Sequence, residues 1–281
     1  MDKIKRQIKI GARIHDIVRE GENLTSRLKE TGVELVQLTL PKFVSWNELP
    51  QDYSPDKLKE LKTVFDEANV EIKVLSCYIN PLAVDVEQEQ ELFKRFVDYC
   101  TLLDVKFIGT ESGSTVSNIK DYKLNLTEEN YKKVRDCFEC LAKYANAKGI
   151  TIGIETVSYY PICSCERFER LTKDLGNAKI CSIFDATNLL NADNYTMQRE
   201  IIGNFIQKHA DKIEVVHLKD FVIKSGTFVE TALFHGWLDI NFVLTKLKEC
   251  GVEADIIVEC SRSVQEFKGI KNKLKKIIAE M

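Results

Sequence analysis

The stretch 152–156, IGIET, reads as a buried strand that closes on an acid, Glu155, and three further stretches repeat the pattern. CSIFD (181–185) ends in Asp185, VVHLK (215–219) carries His217 ahead of Lys219, and IIVEC (256–260) carries Glu259. The four residues follow one another at intervals of 30, 32 and 42. Each interval holds one strand, one helix and two loops, which is how a (β/α)₈ barrel spaces the residues of its catalytic mouth. Side chains alternate across a strand, so Gly153 shares a face with Glu155, Ile183 with Asp185, Val215 with His217 and Lys219, and Ile257 with Glu259. The opposite faces carry Ile152, Ile154, Ile256, Val258 and Cys260, suited to packing under helices.

Outward from these motifs the chain alternates β-rich runs with amphipathic stretches. Strands are expected near 8–14, 35–40, 72–79, 106–111, 151–157, 180–185, 213–219 and 255–260. Helices are expected near 22–31, 55–68, 87–103, 127–148, 166–174, 197–209, 240–250 and 263–279. Ser54 before Pro55, and Thr127 before two glutamates, are helix starts; Gly32, Gly149 and Gly251 are left-handed stops. Eight βα pairs make a single-domain α/β chain, a (β/α)₈ TIM barrel over residues 1–281. The alternative, a doubly wound open sheet, usually carries a glycine-rich turn after its first strand, and ARIHDIVREG has no G-x-G-x-x-G.

A charged residue ending an apolar strand is costly to bury unless it is paired or bound to a cation. Three carboxylates and an imidazole converging at the mouth make a hard donor set, Glu155, Asp185, His217 and Glu259. It suits a divalent cation such as Mn²⁺, Mg²⁺, Co²⁺ or Zn²⁺. Such an ion leaves room for two oxygens of a hydroxy-ketone, whose C–H beside the carbonyl becomes acidic; removing that proton gives an enediolate. Returning it to the other face is epimerisation, and returning it to the next carbon is aldose–ketose isomerisation.

Bulk properties narrow the class. A net charge of −3 with no basic tract offers nothing to a nucleic-acid backbone. No apolar run approaches a membrane span or a signal-peptide core, so a cytoplasmic protein is expected. The nine cysteines lie mostly in apolar segments and read as reduced, buried thiols. Cys137 and Cys140 form C-x-x-C, but Cys137 recurs at helical spacing with Val134, Phe138, Leu141 and Ala145 and so belongs to a core face.

IGIETVS, CSIFDATN, VVHLKD and IIVEC are similar to the corresponding strand ends of the xylose isomerase-like barrel superfamily, HLKD especially so to its sugar isomerase and epimerase branch. The βα rhythm carries the resemblance along the whole chain; the specific motifs lie between Thr151 and Ser261. The superfamily includes ketose 3-epimerases, hydroxypyruvate isomerases, inosose dehydratases, L-xylulose 5-phosphate 3-epimerases and endonuclease IV. The resemblance implies a metal-dependent sugar or sugar-phosphate isomerase or epimerase, with Glu155, Asp185, His217 and Glu259 as ligands and Glu155 and Glu259 doubling as acid and base. It leaves open an inosose-type dehydratase, and more remotely a nuclease or a sugar-binding barrel without turnover. Many relatives are dimers or tetramers, so a homo-oligomer is also open. One position departs: many relatives carry histidine three residues after the strand-end aspartate, where this chain has Asn188, an amide that cannot shuttle a proton.

Other residues are candidates by position. Lys219, one strand step beyond His217, could hold a substrate oxygen, carboxylate or phosphate, or stand solvated. Glu111 in FIGTESG and His15 at the end of the first strand could line the substrate pocket, and Ser112–Thr115 could cradle a phosphate or be a plain loop. Trp237, beside His235, could wall the pocket. Arg262 could meet an anionic group or begin the last helix. Asp220 points away from the mouth to fix the next loop. His209 reads as a helix surface residue.

Overall fold

The computed structural model describes residues 7–19, 22–42 and 53–281. Its strands are β1 (Ile10–Arg13), β2 (Leu35–Leu38), β3 (Glu71–Ser76), β4 (Phe107–Thr110), β5 (Thr151–Glu155), β6 (Ile180–Asp185), β7 (Ile213–Leu218), β8 (Asp220–Lys224), β9 (Thr227–Thr231) and β10 (Asp255–Val258). Its helices are α1 (Ile14–Ile17), α2 (Leu24–Thr31), α3 (Pro55–Glu67), α4 (Val86–Leu102), α5 (Glu128–Ala147), α6 (Cys165–Asp174), α7 (Gln198–His209), α8 (Ile240–Glu249) and α9 (Val264–Glu280). Eight strands close in parallel in the order β1-β10-β7-β6-β5-β4-β3-β2, and β8 pairs with β9 as a separate antiparallel hairpin. The chain therefore folds as the (β/α)₈ barrel its spacing predicts.

Alternation sorts two cores. Leu35, Val74, Phe107, Cys181, Ile183, Val215 and Ile257 fill the barrel interior. Ile152, Ile154, Ile256 and Val258 point outward into the layer shared with the helices. The register sets the mouth: Glu155 pairs with Ile183, Asp185 with His217, and His217 with Ile257. The strands are staggered as a closed barrel requires, so the acids from neighbouring strands come to one level above the interior layer.

Glycines make room inside. A Cβ on Gly153 would lie 2.3 Å from the Phe107 ring, and one on Gly11 would lie 2.0 Å from the Leu35 carbonyl oxygen. A ring can tilt, but the Leu35 backbone belongs to the paired strand and cannot yield cheaply. Gly11→Ala is accordingly expected to destabilise the fold by about 3 kcal/mol, read as a lower urea midpoint; an unchanged midpoint would mean that β1 and β2 separate freely.

The helix ends follow the expected chemistry. Ser54 accepts from the Lys57 amide ahead of α3, and Thr127 from the Asn130 amide ahead of α5. Gly32, Gly149 and Gly251 take positive φ after α2, α5 and α8. All nine cysteines are free thiols. No helix among the described residues is long and apolar enough to cross a membrane.

Three of these elements, α1, β8 and β9, were not expected. The chain turns helical at Ile14, so β1 ends on Arg13. The β8–β9 hairpin carries a signature in KSGT: Ser225 and Gly226 both have positive φ, 49° and 77°, between the paired Lys224 and Thr227. That is the geometry of a type I′ turn. His209 is a correction: it is 4 % exposed, not on the surface. Its ring packs against Phe168 and Phe205, which draws the end of α7 onto α6.

Candidate metal centre

Glu155, Asp185 and His217 meet as expected. Each places a ligand atom within 4.8 Å of the others, all three residues are buried, and together they could hold a metal ion. Two ligands of one ion, each about 2.1 Å from it, stand about 3 Å apart when adjacent and about 4.2 Å apart when opposite, so small side-chain adjustments suffice. Glu259, the fourth expected ligand, is not one of this group of three but adjoins it: its Oε1 is 3.0 Å from His217 Nδ1, while Glu155 Oε1 is 3.6 Å from the same nitrogen.

The His217 ring is the most informative group. It is 0 % exposed, yet neither ring nitrogen has a hydrogen bond. Its contacts with the two glutamates are close but poorly aligned, so they are ionic rather than hydrogen-bonded. A buried polar atom without a partner is costly, and a cation between these donors would satisfy it. Asp185 Oδ2 likewise accepts no hydrogen bond, although the Lys219 ammonium stands 3.1 Å away. Its companion Oδ1 is occupied, accepting from the Thr187 amide at 2.8 Å and the Asn188 amide at 3.1 Å, which turns Oδ2 toward the cluster. One nitrogen and carboxylate oxygens form the hard donor set expected for a divalent ion.

The surrounding charges are balanced by contact. Lys219 Nζ lies 3.1 Å from Asp185 Oδ2 and 3.2 Å from Glu259 Oε2. Arg13 Nη1 lies 3.2 Å from Glu259 Oε2, and Arg13 is held by Asp16, 2.9 Å from its Nε. Asp16 also accepts from the amide of Cys260, whose φ of 60° is a strained conformation for a residue with a side chain, directly after Glu259. Asn188 Nδ2 donates to Glu155 Oε1 at 2.5 Å. The D-x-x-N turn therefore braces two of the cluster's acids.

These neighbours move the protonation equilibria. Burial pushes the Asp185 carboxyl up to about 7, with Lys219 opposing. Burial alone would lower His217, but Glu259 and Glu155 outweigh it and push the ring up to about 10. Burial alone would raise Glu259, but Lys219, Arg13 and His217 hold it well below the usual carboxylate range. Burial, reinforced by Glu155, lifts Glu111 to about 8.

Above the cluster opens a cavity of about 800 Å³, whose lining includes Arg13, Glu111, Glu155, Asn188, Lys219 and Glu259. Another cavity, of about 710 Å³, opens beside the amino ends of the strands, near Lys9, Glu34 and Glu71. Among the described residues the metal-capable group lies at the mouth. His15 sits on α1, beside rather than in the lining; burial, with Arg13 and Lys42 nearby, lowers its ring to about 4. Trp237 is 51 % exposed and packs near Tyr195, and Arg262 pairs with Glu266 on the surface. Asp220 does fix the next loop, accepting from the amides of Phe221, Gly236 and Leu238.

Sequence reasoning did not single out Arg13, Tyr78 or Glu230. Arg13 shares the strand face of His15 and would have emerged had the strand been ended two residues earlier. Tyr78 receives a hydrogen bond from Gln37 Nε2 at 3.0 Å and lines the cavity. Glu230 arrives on the hairpin.

The family model described as xylose isomerase-like TIM barrel matches residues 25–279. The fold is also that of several solved structures. A xylose isomerase domain protein from Planctomyces limnophilus is 16 % identical, with 98 % of this chain and 99 % of that chain covered and a TM-score of 0.77. A xylose isomerase-like TIM barrel protein from Mycobacterium smegmatis, in complex with magnesium, is 13 % identical, with 97 % of each chain covered and a TM-score of 0.73. The D-psicose 3-epimerase of Clostridium cellulolyticum H10, with D-tagatose, is 12 % identical, with 96 % of this chain and 99 % of that chain covered and a TM-score of 0.71. Among curated proteins none matches by sequence.

Proposed function

The chain belongs to the xylose isomerase-like TIM barrel family, and we propose that it is a divalent-metal-dependent isomerase or epimerase of a sugar or sugar phosphate. The observation that carries this reading is the buried His217 ring, without hydrogen bonds and flanked by two glutamates. The metal-bound and epimerase-named neighbours of the same fold are in keeping with it.

Glu155, Asp185, His217 and Glu259 would hold the ion. When bound, it would polarise a substrate carbonyl and acidify the adjacent C–H. Glu155 and Glu259 stand on different strand ends to either side of His217, so a substrate seated over the ring would meet a carboxylate from each side. Glu155 accepts its hydrogen bond from a neutral amide, whereas Glu259 faces two cations. Cations at hydrogen-bond distance weaken a base. Glu155 is therefore assigned removal of the proton, and Glu259, the stronger acid once protonated, its return. Asn188 holds Glu155 in place and lines the cavity, where its amide can also meet a substrate oxygen.

A dehydratase on the same site is the second reading, and Glu111 favours it. Its carboxyl keeps a proton near neutral pH and lines the cavity, as an acid for a departing β-hydroxyl must.

The test is an NMR screen of C3 to C6 ketoses and their phosphates in D₂O with added Mn²⁺, Mg²⁺ or Co²⁺. Deuterium is expected to enter the carbon beside the carbonyl of at least one substrate, only with metal present. Loss of a hydroxyl in the product would select the dehydratase, and no exchange across the set would count against both.

A further inference from the structure

Lys219 is placed by the sequence as a substrate-holding group, yet its ammonium is already surrounded by protein carboxylates. Nζ lies 3.1 Å from Asp185 Oδ2, 3.2 Å from Glu259 Oε2 and 3.0 Å from Glu230 Oε1, and the side chain is only 5 % exposed. An ammonium has three N–H donors, and here three carboxylates stand around it. Asp185 and Glu259 are 0 % and 3 % exposed, so neither can be left ionised and unpaired without a large penalty. Arg13 Nη1 meets the same Glu259 oxygen, Oε2, at 3.2 Å. Glu230 is different: it is 46 % exposed and comes from β9, above the mouth.

We infer that Lys219 is a positioning residue, the internal counter-ion of this cluster. It holds the Asp185 and Glu259 carboxylates in their metal-facing positions before any ion arrives, and it fastens the β8–β9 hairpin to the site through Glu230. It donates a hydrogen bond to Glu259 and shares its charge with Asp185 and Glu230, which leaves the substrate to Asn188, Glu111 and the metal. A positive charge close to a divalent cation also repels it, so Lys219 weakens metal binding while keeping the empty site folded. The effect on affinity rests on the metal-centre reading; the effect on the metal-free protein does not.

The test compares wild type, Lys219→Met and Lys219→Arg, each stripped of metal and then titrated with Mn²⁺. Lys219→Met is expected to melt about 5 °C or more below wild type without metal, and to bind Mn²⁺ about tenfold more tightly by calorimetry, the repulsion having been removed. Lys219→Arg, which keeps the charge, is expected to stay close to wild type in both. A substrate clamp would leave both quantities of Lys219→Met unchanged, and that result overturns the inference, as does weaker Mn²⁺ binding. If wild type binds no Mn²⁺, the metal reading falls and the melting comparison alone decides the counter-ion role. If Lys219→Met does not fold, the double variant with Glu259→Gln, which removes one charge of each sign, is expected to fold; its failure would mean lost packing and would also overturn the inference.

Discussion

Glu155→Gln is expected to lower the rate of deuterium exchange into substrate by about a thousandfold or more while leaving the fold intact. Glutamine keeps the size of the side chain and can still offer an oxygen to a cation, but it cannot take a proton from carbon. The fold is expected to tolerate the change although the site is buried, because glutamine fills the same volume and removing one of several crowded acid charges relieves repulsion. Its partner Asn188 can rotate its amide to present oxygen to the new NH₂ group. Circular dichroism and the melting temperature should therefore stay near wild type while exchange is lost. Exchange at the wild-type rate in this variant would remove Glu155 from the proton transfer and shift the assignment to Glu259.

The second large effect is on the metal. His217→Ala is expected to weaken Mn²⁺ binding by at least about a hundredfold, measured by calorimetry. The ring supplies the nitrogen donor of the cluster and lies between Glu155 and Glu259. Without it the carboxylates lose the group that orients them toward one point. A variant that binds Mn²⁺ as tightly as wild type would place the ion elsewhere. His209→Ala is the matched control: that ring is packed between Phe168 and Phe205, away from the cluster, and its loss is expected to change stability and not metal affinity.

The barrel and the floor of its site were legible because both depend on a strand's period of two. Ile183 and Asp185, or Ile257 and Glu259, must share a face whatever surrounds them, and the closed sheet turned that parity into convergence. What lay beyond the strand ends was less legible, because there the backbone leaves the period. His15 was expected at the mouth by counting along an extended strand, but the chain becomes helical at Ile14 and Arg13 is the residue that reaches the cluster. The hairpin was missed for a different reason. Its strands follow β7 with a single residue between, so DFVIKSGTFVET could be absorbed into the loop after the seventh barrel strand, although Ser225 and Gly226 mark the turn. His209 misled because helical position alone does not say which neighbouring helix covers a face, and here α6 brings Phe168 over it. Lys219 was found by parity, but its role depends on partners from β6, β9 and the end of β10 that no local pattern announces.

The account turns on one ion held in common by residues from β5, β6, β7 and the end of β10. A crystal soaked in Mn²⁺, with data collected near the manganese edge, tests it most directly. The expected result is a single anomalous peak at the mouth, about 2.0 to 2.3 Å from oxygens of Glu155, Asp185 and Glu259 and from a nitrogen of His217. A peak bound elsewhere, or none at saturating Mn²⁺ with the four side chains still paired among themselves, would contradict it.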